Sequence, residues 1–542
     1  MTGVQTCALP ILPGSPSVWP SVSGPEPSQP VRPPSPTSLK SARRYQPEIW
    51  FTTVSAMPVV LGIDSSTQSV KVEARDVESG RLVGSGRAAH PPTTPPRSEQ
   101  DPETWWSALV AAVLEACSGR SAEVVAISVA GQQHGMVALG VDGRAVYPGK
   151  LWNDTESSGE AAALVSRIGV DAWATATGSV PVAAFTVTKV AWLKAHHPEA
   201  YARMTHVLLP HDEMTRRLTG RFATDRGDAS GTGYWSPASG SWRTDLLALI
   251  DSERDWISAL PVVVGPFEMV GALTNNAASE LRLGESVIVG PGTGDNMGAA
   301  LGLGLEPGDV VISLGTSGTV YAVSDTPTAD VSGCVAGFAD ASGRFLPLVC
   351  TLNAMKVTDA IARLLGVDHA AFEALVLDTS AGSHGLVLVP YFDGERTPNR
   401  PDATGVLHGI RSDVSRGQFA RAAVEGVVCG LLDGLDALQA AGVRTDGRLL
   451  LIGGGARSAA FQRVVADLAQ RTVTVPSADE HVAVGAALQA AVVWSVAQGS
   501  GTGDEVLVRL RRAWGLGGGT SIERNRSVDA MSIRAAYARS RG

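Results

Sequence analysis

The sequence predicts an α/β protein, and two features of its pattern support that prediction. Short apolar runs recur along the chain, and each ends in a turn of glycine, amide, hydroxyl or carboxyl residues. Between them lie segments with apolar residues at helical spacing, such as residues 103–117 and 415–440. Open α/β sheets place their ligand contacts at the carboxyl ends of strands, so these polar turns are the candidate sites.

Length and composition restrict the class of protein. The 542 residues are enough for two or three domains, each with its own core. A formal net charge of −9 argues against nucleic acid or an anionic membrane as the main partner. The five cysteines include no CxxC pair, so the sequence indicates a reduced cytoplasm, with neither a zinc site nor a disulfide framework.

The first 56 residues differ in composition from the rest of the chain. They contain 11 of the 32 prolines and almost no periodic apolar pattern, so we expect them to be disordered. Met57 begins a clean strand pattern, and we interpret it as the true start of the protein, with residues 1–56 as an upstream extension included by error. A regulatory or targeting extension is the alternative.

The first chemical motif is a strand, polar turn and strand near the beginning of the ordered pattern. The apolar run 59–63 leads into Asp64, Ser65, Ser66 and Thr67, and a second strand follows. Hydroxyls and backbone N–H groups in such a turn can wrap phosphates. Asp64 is a candidate ligand for hydrated Mg²⁺, which prefers one or two carboxylates together with phosphate oxygens. The structural alternative is a surface hairpin with a capping aspartate.

The next polar strand end is rich in amides. The apolar run 124–129 ends in a segment that contains Gln133 and His134, and a later apolar run ends in Trp152 and Asn153. Amides and imidazole both donate and accept hydrogen bonds, so these side chains suit a ligand with several hydroxyls. In the glycine-bearing loop 224–234, a structural role is favoured over a ligand role for its aspartates.

The stretch 287–320 combines a carboxylate with a second phosphate-type turn. Asp295 follows a glycine-rich strand end and opens a helix predicted over 296–304. The strand 309–314 then runs into Gly315, Thr316, Ser317 and Gly318, whose backbone N–H groups and hydroxyls can hold an anion. A carboxylate beside a phosphate-binding turn predicts a general base that faces a phosphoryl donor. The preceding glycines do not have the GxGxxG spacing of a dinucleotide motif.

Two further segments complete the pattern. The strand 449–452 ends in Gly453, Gly454, Gly455 and Ala456, where the backbone can lie against a planar ligand such as a purine. Residues 482–497 are nearly all apolar, but the run includes Gly485, Gln489 and Ser495 and is too short for a membrane span. It is predicted to be a buried helix.

Taken in order, these motifs resemble the FGGY family of carbohydrate kinases from about Val59 to the end of the chain. They are GIDSSTQSVK, SEQDPETWW, GQQHG, LWND, DASGTGYW, GDNMGAALG, LGTSG, PYFDGERTP and IGGGARS. The resemblance implies a two-domain actin-like, sugar-kinase (ribonuclease H-like) fold with an interdomain cleft. We expect a sugar-binding domain over 57–305, a nucleotide-binding domain over 306–498, and a tail with a terminal helix over 499–542.

The resemblance also implies roles for individual residues. Asp295 is expected to be the general base, Asp64 to lie near the metal, and Gln133, His134, Trp152 and Asn153 to contact the sugar. Ser66, Thr67 and residues 315–318 are expected at the phosphates, and residues 453–456 beside the nucleotide. Many relatives have Lys-Asp where this chain has His211-Asp212, which leaves one contact near the sugar pocket undetermined.

The implied reaction is ATP- and Mg²⁺-dependent phosphorylation of a ketopentose, with D-xylulose as the first candidate. The alternatives are another sugar or polyol (ribulose, gluconate or fuculose) or, in a different class, an actin-like ATPase with no sugar substrate. Neither a nucleic-acid partner nor a membrane partner is expected. A cytoplasmic location is expected, and a homodimer is one option for assembly.

Overall fold

The computed structural model of the chain describes residues 57–477 and 480–542. The predictions made for residues 1–56 therefore lie outside the described residues.

Residues 57–302 form a mixed sheet with helices packed on it. In the described part of the chain this sheet has seven strands. In sheet order they are Gly271–Ala272, Ile288–Val289, Val124–Gly131, Val59–Ser65, Ser69–Asp76 and Leu82–Ala89, with Thr293–Gly294 also paired to Val124–Gly131. The strand Val59–Ser65 is antiparallel to Ser69–Asp76 and parallel to Val124–Gly131. The carboxyl ends of Val59–Ser65, Val124–Gly131 and Thr293–Gly294 therefore point the same way.

A second sheet repeats this plan later in the chain. Its seven strands, counted over the described residues, are in sheet order Ala336–Ala339, Phe345–Thr351, Gly318–Ala322, Val310–Leu314, Leu449–Ile452, Val473–Pro476 and Gly519–Ile522. Val310–Leu314 is antiparallel to Gly318–Ala322 and parallel to Leu449–Ile452, as Val59–Ser65 is to its own neighbours. Each sheet thus sets a tight hairpin turn beside the carboxyl end of a parallel strand.

Short ladders and the helices account for the remaining regular structure. The two-stranded ladders join Glu99–Gln100 to Gly149–Lys150, Val137–Leu139 to His206–Leu208, Ala223–Asp225 to Val262–Val264, Trp235–Ser236 to Ser241–Trp242, and Val387–Val389 to Val406–His408. The α-helices before the second sheet are Pro102–Ala116, Ser158–Ile168, Val170–Thr177, Thr186–His196, Pro198–Arg203, Pro210–Thr219, Arg226–Ala229, Thr244–Leu247, Trp256–Ala259, Asn275–Leu281 and Asp295–Gly302. Those after it begins are Met355–Leu365, His369–Leu377, Arg416–Ala440, Ala459–Ala469, His481–Ala497, Gly503–Ala513 and Ala530–Arg541. Single 3₁₀ turns lie at Ser121–Glu123, Ser230–Thr232, Ser383–Gly385 and Gly454–Arg457.

The predicted elements around the candidate sites are present, with shifted ends. The strand predicted over 59–63 runs from Val59 to Ser65, so Asp64 lies inside it. The helix predicted over 296–304 runs from Asp295 to Gly302, so Asp295 is its first residue. The helix predicted to be buried over 482–497 is rich in Ala and Val and largely buried over His481–Ala497. No helix in the described ranges is long and apolar enough to cross a membrane.

The helix His481–Ala497 packs on the first sheet, although it follows most of the second sheet in sequence. Its close approach needs glycines, because a Cβ atom on Gly62 would lie 2.0 Å from the carbonyl oxygen of Ala483. A Cβ atom on Gly485 would lie 1.8 Å from the carbonyl oxygen of Gly298 in the helix Asp295–Gly302. The same helix therefore supports the strand that carries Asp64 and the helix that begins at Asp295.

Candidate active site

Asp64 lies near the carboxyl end of the central strand and is 5% exposed. Its Oδ2 lies 3.8 Å from Lys71 Nζ, and Lys71 pairs with Glu480 at 2.5 Å. Burial raises the pKa of Asp64 to about 6, which Lys71 partly opposes and Glu480 adds to. Its Oδ1 is buried and has no hydrogen-bond partner among the described residues. A buried carboxylate oxygen without a donor fits a divalent cation, because a cation satisfies the lone pairs that the protein leaves open.

Asp295 opens the helix Asp295–Gly302 directly after the short strand Thr293–Gly294, which pairs with Val124–Gly131. Its Oδ1 accepts hydrogen bonds from the backbone N–H of Asn296 at 2.7 Å and from Asn296 Nδ2 at 2.9 Å. Burial, together with the nearby carboxylates of Asp64 and Asp228, raises the pKa of Asp295 to about 7, although the hydrogen bonds from Asn296 act in the opposite direction. A carboxylate with a pKa near neutrality, held at a strand end, is suited to accept a proton.

Gln133 connects the amide-rich strand end to Asp295. Asn296 Nδ2 donates to Gln133 Oε1 at 2.7 Å, so the two side chains and Asp295 form one hydrogen-bonded group. Gln133 Nε2 is buried and has no acceptor within the described residues. This N–H group is available to donate to a bound hydroxyl.

His134 presents a neutral imidazole beside Gln133. Its backbone has a φ of 65°, which is uncommon for a residue other than glycine. Its Nδ1 lies 2.8 Å from the carbonyl oxygen of Gly231. Because a carbonyl only accepts, Nδ1 carries the proton and Nε2 is left as an acceptor. Burial lowers the pKa of His134 to about 3, with Arg396 adding to the effect, so the ring stays neutral.

The rings around His134 come from both halves of the chain. Phe185 stacks on the imidazole at a centroid distance of 4.9 Å, and Phe338 packs at 5.4 Å. Phe338 belongs to the edge strand Ala336–Ala339 of the second sheet. The sequence analysis did not select either phenylalanine, because an isolated aromatic residue in an apolar segment carries no sign of a site.

Trp152 and Thr67 meet across the first hairpin turn. Trp152 Nε1 donates to Thr67 Oγ1 at 3.0 Å, and Thr67 Oγ1 lies 3.2 Å from Gln132 Oε1. The Trp152 side chain is partly exposed, and Asn153 Oδ1 is buried without a donor from any described residue. The hydroxyl of Ser66 bonds the backbone oxygen of Ser69 inside the turn. The structure thus places Thr67 against the amide-rich strand end and leaves Ser66 within its own hairpin.

The predicted phosphate and purine turns of the second sheet lie side by side. Gly315 accepts a hydrogen bond from the backbone N–H of Met355 at 3.0 Å. A Cβ atom on Gly455 would lie 2.7 Å from Met355 Sδ, and one on Gly453 would lie 2.6 Å from the carbonyl oxygen of Leu314. Thr316 is exposed, and Ser317 is half-buried. Residues 315–318 and 453–456 therefore form one continuous backbone surface at the carboxyl ends of their strands.

A cavity of about 390 Å³ opens beside this backbone surface. It is bordered by the helices Met355–Leu365, His369–Leu377, Arg416–Ala440 and Ala459–Ala469 and by the glycine turn, and its lining includes Met355, Thr358, Phe372, Glu373, Val424, Gly454 and Ser458. A mostly apolar cavity with a few polar groups suits a nucleobase. The sequence analysis missed this lining, because apolar residues on separate helices look like ordinary core.

The carboxylates of Glu99, Asp154 and Glu156 surround the ammonium group of a lysine. Within the described residues, the oxygen atoms of these three side chains lie close enough together to hold a metal ion. Lys150 Nζ lies 2.9 Å from a carboxylate oxygen of each of the three residues and 3.7 Å from the centre of the Trp192 ring. The ammonium group already supplies the positive charge, so the cluster holds the segment of Trp152 and Asn153 rather than a metal.

A second buried charge cluster lies directly behind the site. It contains His211, Asp212, Asp225 and Asp228, all of them fully buried. His211 Nδ1 lies 2.9 Å from Asp228 Oδ2 and Asp225 accepts from Thr293 Oγ1 at 2.9 Å. Both aspartates of the loop 224–234 therefore have partners within the protein, and a structural role for them stays a prediction.

Comparison with known proteins identifies the family. Residues 59–302 match the N-terminal domain, and residues 310–494 the C-terminal domain, of the FGGY family of carbohydrate kinases. A xylulose kinase of Streptomyces rubiginosus is 46% identical over 467 residues, which cover 86% of this chain and 92% of that protein.

Solved structures give the same result for the fold. The crystal structure of xylulose kinase from Bifidobacterium adolescentis is 38% identical with a TM-score of 0.79, covering 90% of this chain and all of that one. A gluconate kinase from Lactobacillus acidophilus reaches a TM-score of 0.81 at 20% identity, covering 89% of this chain and 96% of that one, which supports the fold alone. The predicted two-domain sugar-kinase fold is confirmed, and sugar and ATP are the ligands that its family implies. The chain belongs to the FGGY family of carbohydrate kinases.

Proposed function

We propose that this enzyme transfers the γ-phosphoryl group of ATP to a terminal hydroxyl of D-xylulose, forming D-xylulose 5-phosphate. The observation that carries the choice of sugar is the 46% identity to a xylulose kinase over most of both chains. The site geometry is consistent with a polyhydroxylated substrate. Gln133 Nε2 offers a free donor and Asn153 Oδ1 a free acceptor among the described residues, and His134 Nε2 supplies a second acceptor.

In the proposed reaction, Asp295 is the general base. It accepts the proton of the sugar hydroxyl as the oxygen attacks the γ-phosphorus and the bond to the β-phosphate oxygen breaks. The carboxylate must be ionised to do this, and its pKa of about 7 allows that at neutral and higher pH. Asn296 and Gln133 hold its position through the hydrogen bonds at 2.7–2.9 Å.

The phosphates are assigned to the backbone surface of the second sheet. The turn 315–318 provides the hydroxyls of Thr316 and Ser317 and the N–H groups that it does not use itself, since the N–H of Gly315 already donates to the Ser317 carbonyl at 3.0 Å. The 390 Å³ cavity beside residues 453–456 accommodates the nucleobase. Asp64 is the residue proposed to hold Mg²⁺, since its Oδ1 lacks a donor among the described residues. When bound, the cation neutralises charge on the phosphates. The cytoplasmic location and the homodimer remain predictions from the sequence.

An ADP-release assay with a panel of ketoses, polyols and aldonates tests this proposal. We expect the highest kcat/KM with D-xylulose and little ADP release without sugar. Faster turnover of ribulose, gluconate or fuculose would keep the kinase chemistry and reject the choice of substrate. Full ATP turnover in the absence of any sugar would instead favour the actin-like ATPase.

A further inference from the structure

His211 occupies a slot between the two strand ends that form the sugar side of the site. A Cβ atom on Gly131 would lie 2.9 Å from His211 Cβ, and one on Gly292 would lie 2.6 Å from Cδ2 of the imidazole ring. Gly131 precedes the segment of Gln133 and His134, and Gly292 lies three residues before Asp295. His211 therefore fits between the two segments because each has a glycine at the point of contact, Gly131 facing its Cβ and Gly292 facing its ring.

Both nitrogens of this imidazole face carboxylates. Nδ1 lies 2.9 Å from Asp228 Oδ2, and Nε2 lies 3.2 Å from Asp212 Oδ1 and 3.6 Å from Asp225 Oδ1. Nδ1 is hydrogen-bonded to Asp228, whereas Nε2 has no hydrogen bond to a described residue and is held by charge alone, so the three carboxylates around the ring favour its protonated form. Burial alone lowers the pKa of His211, but Asp212, Asp228 and Asp225 together raise it to about 9.

The same aspartates hold the two site loops. The backbone N–H of His134 lowers the pKa of the Asp228 carboxylate, and the carbonyl oxygen of Gly231, three residues after Asp228, accepts a hydrogen bond from Nδ1 of His134, the residue with the unusual φ of 65°. Asp225 Oδ2 accepts from Thr293 Oγ1, two residues before Asp295. The positive charge of His211 thus lies at the centre of contacts that end on the sugar-binding strand end on one side and on the base-bearing loop on the other.

We propose that His211, as a buried imidazolium, is a positioning residue that holds His134 and Asp295 in their working geometry through Asp228 and Asp225. This inference rests on the proposed sugar kinase function. The ring does not touch the reacting atoms, so its effect passes through the two aspartates. Loss of its charge leaves the buried carboxylates without a counterion. They then either take up protons or repel one another and displace the two loops.

The ionisable groups around His211 lie on several different elements. Asp212 lies on the same helix as His211, Asp225 on the strand Ala223–Asp225 and Asp228 on the helix Arg226–Ala229. The hydroxyl of Tyr234 is buried near Asp212 and Asp228, and its raised pKa keeps it neutral. The Asp295 carboxylate interacts with Asp228 from the far side. The imidazolium of His211 therefore supplies the positive charge among these groups, and raising the pH would remove its proton.

The test compares His211→Lys, His211→Gln and His196→Gln, using the sugar that the wild-type enzyme phosphorylates best. Lysine keeps the charge to higher pH, whereas glutamine removes it. His196 is a matched control, because it is half-exposed and pairs with Glu160 at 3.0 Å away from the site. We expect His211→Gln to lower kcat by roughly 10²-fold, since small misplacements of catalytic groups have effects of that size. The KM for ATP should change little, and His196→Gln should behave as wild type.

The pH profile separates positioning by charge from mere packing. Wild-type kcat should fall as the pH rises through about 9, and His211→Lys should move that alkaline limb upward. An unchanged limb in His211→Lys, or wild-type turnover in His211→Gln, would overturn the proposal. Absence of any sugar turnover by the wild type would instead refute the proposed function.

A measurement on the unmodified protein remains decisive if the variants do not fold. In protein with ¹³C-labelled histidine, one of the ten imidazoles should keep the chemical shift of the protonated form until the pH approaches about 9. If every histidine signal is that of a neutral ring at pH 8, His211 is not an imidazolium and the proposal is wrong.

Discussion

Replacing Asp295 by asparagine should separate catalysis from stability. Asparagine has nearly the same shape, and its amide oxygen can accept the bonds that Asn296 N and Nδ2 now donate to Asp295 Oδ1. It cannot take a proton from the sugar. General-base catalysis contributes about 10²–10⁴-fold, so turnover should fall by that factor while the affinities for ATP and sugar change by a few fold.

The same substitution should raise the stability of the free enzyme at alkaline pH. The pKa of Asp295 is raised from 3.8 to about 7, first by burial and then by Asp64 and Asp228, which corresponds to roughly 4 kcal/mol against the ionised form. Because the folded pKa lies above the unfolded one, this penalty is absent below pH 4, grows between pH 4 and 7, and is constant above pH 7. Asparagine carries no such penalty.

Turnover by ADP release and thermal unfolding at pH 8 and pH 5 should be measured on one preparation of each protein. We expect the Asp295→Asn protein to be much slower than wild type, to unfold at a higher temperature at pH 8, and to show a smaller advantage at pH 5. If Asp295 only stabilised the start of its helix, asparagine would serve as well and turnover would be near normal. That result would refute the proposed mechanism.

Three further outcomes follow from the structure. Gly485→Ala should lower the free energy of unfolding by at least about 1–3 kcal/mol, because the added methyl group clashes with the Gly298 carbonyl. Gly159→Ala is the control, since it lies in a helix and no atom lies within 4 Å of the added methyl group. In the same denaturant titration it should be neutral or stabilising. His134→Ala should raise the KM for sugar by about 10–100-fold and leave the KM for ATP within a few fold, because it removes an acceptor on the sugar side; an equal loss in ATP affinity, measured by initial rates, would contradict that placement. Protein that begins at Met57 should have the kinetics of the full chain, since every candidate site residue lies after that position; an insoluble or inactive product would show that residues 1–56 contribute to function.

Local patterns in the sequence were sufficient to predict the strand ends and the turns that carry the site. Asp64, Gln133 and Asp295 each follow an apolar run, and the carboxyl ends of parallel strands lie at one edge of a sheet. The boundary errors were small: Asp295 begins its helix instead of preceding it. Such shifts occur because the first turn of a helix and the preceding loop have the same polar composition.

Contacts between distant segments could not be predicted from local sequence patterns. The apolar part of the lining of the cavity beside the glycine turn comes from four helices, and nothing in each helix alone distinguishes these residues from core. Asp225 and Asp228 looked like loop residues, and their pairing with His211 depends on helix packing. The one available signal was the His211-Asp212 pair, at a position where the family resemblance led us to expect Lys-Asp.

The geometry of the two key carboxylates depends on a helix that local sequence does not connect to them. Gln489, in the helix His481–Ala497, accepts from Ser128 Oγ at 2.5 Å and donates to the backbone oxygen of Gly292 at 3.1 Å. Ser128 lies on the strand beside the one that carries Asp64, and Gly292 lies in the loop that leads to Asp295.

Glycines on three elements bring this helix close enough for those bonds, at Gly62, Gly298 and Gly485. A nearly all-apolar run near the end of the chain, which first suggests a membrane segment, therefore sets the separation between the proposed metal ligand and the proposed base. Since phosphoryl transfer depends on placement more than on covalent chemistry, this distant support is as much part of the active site as the side chains it holds.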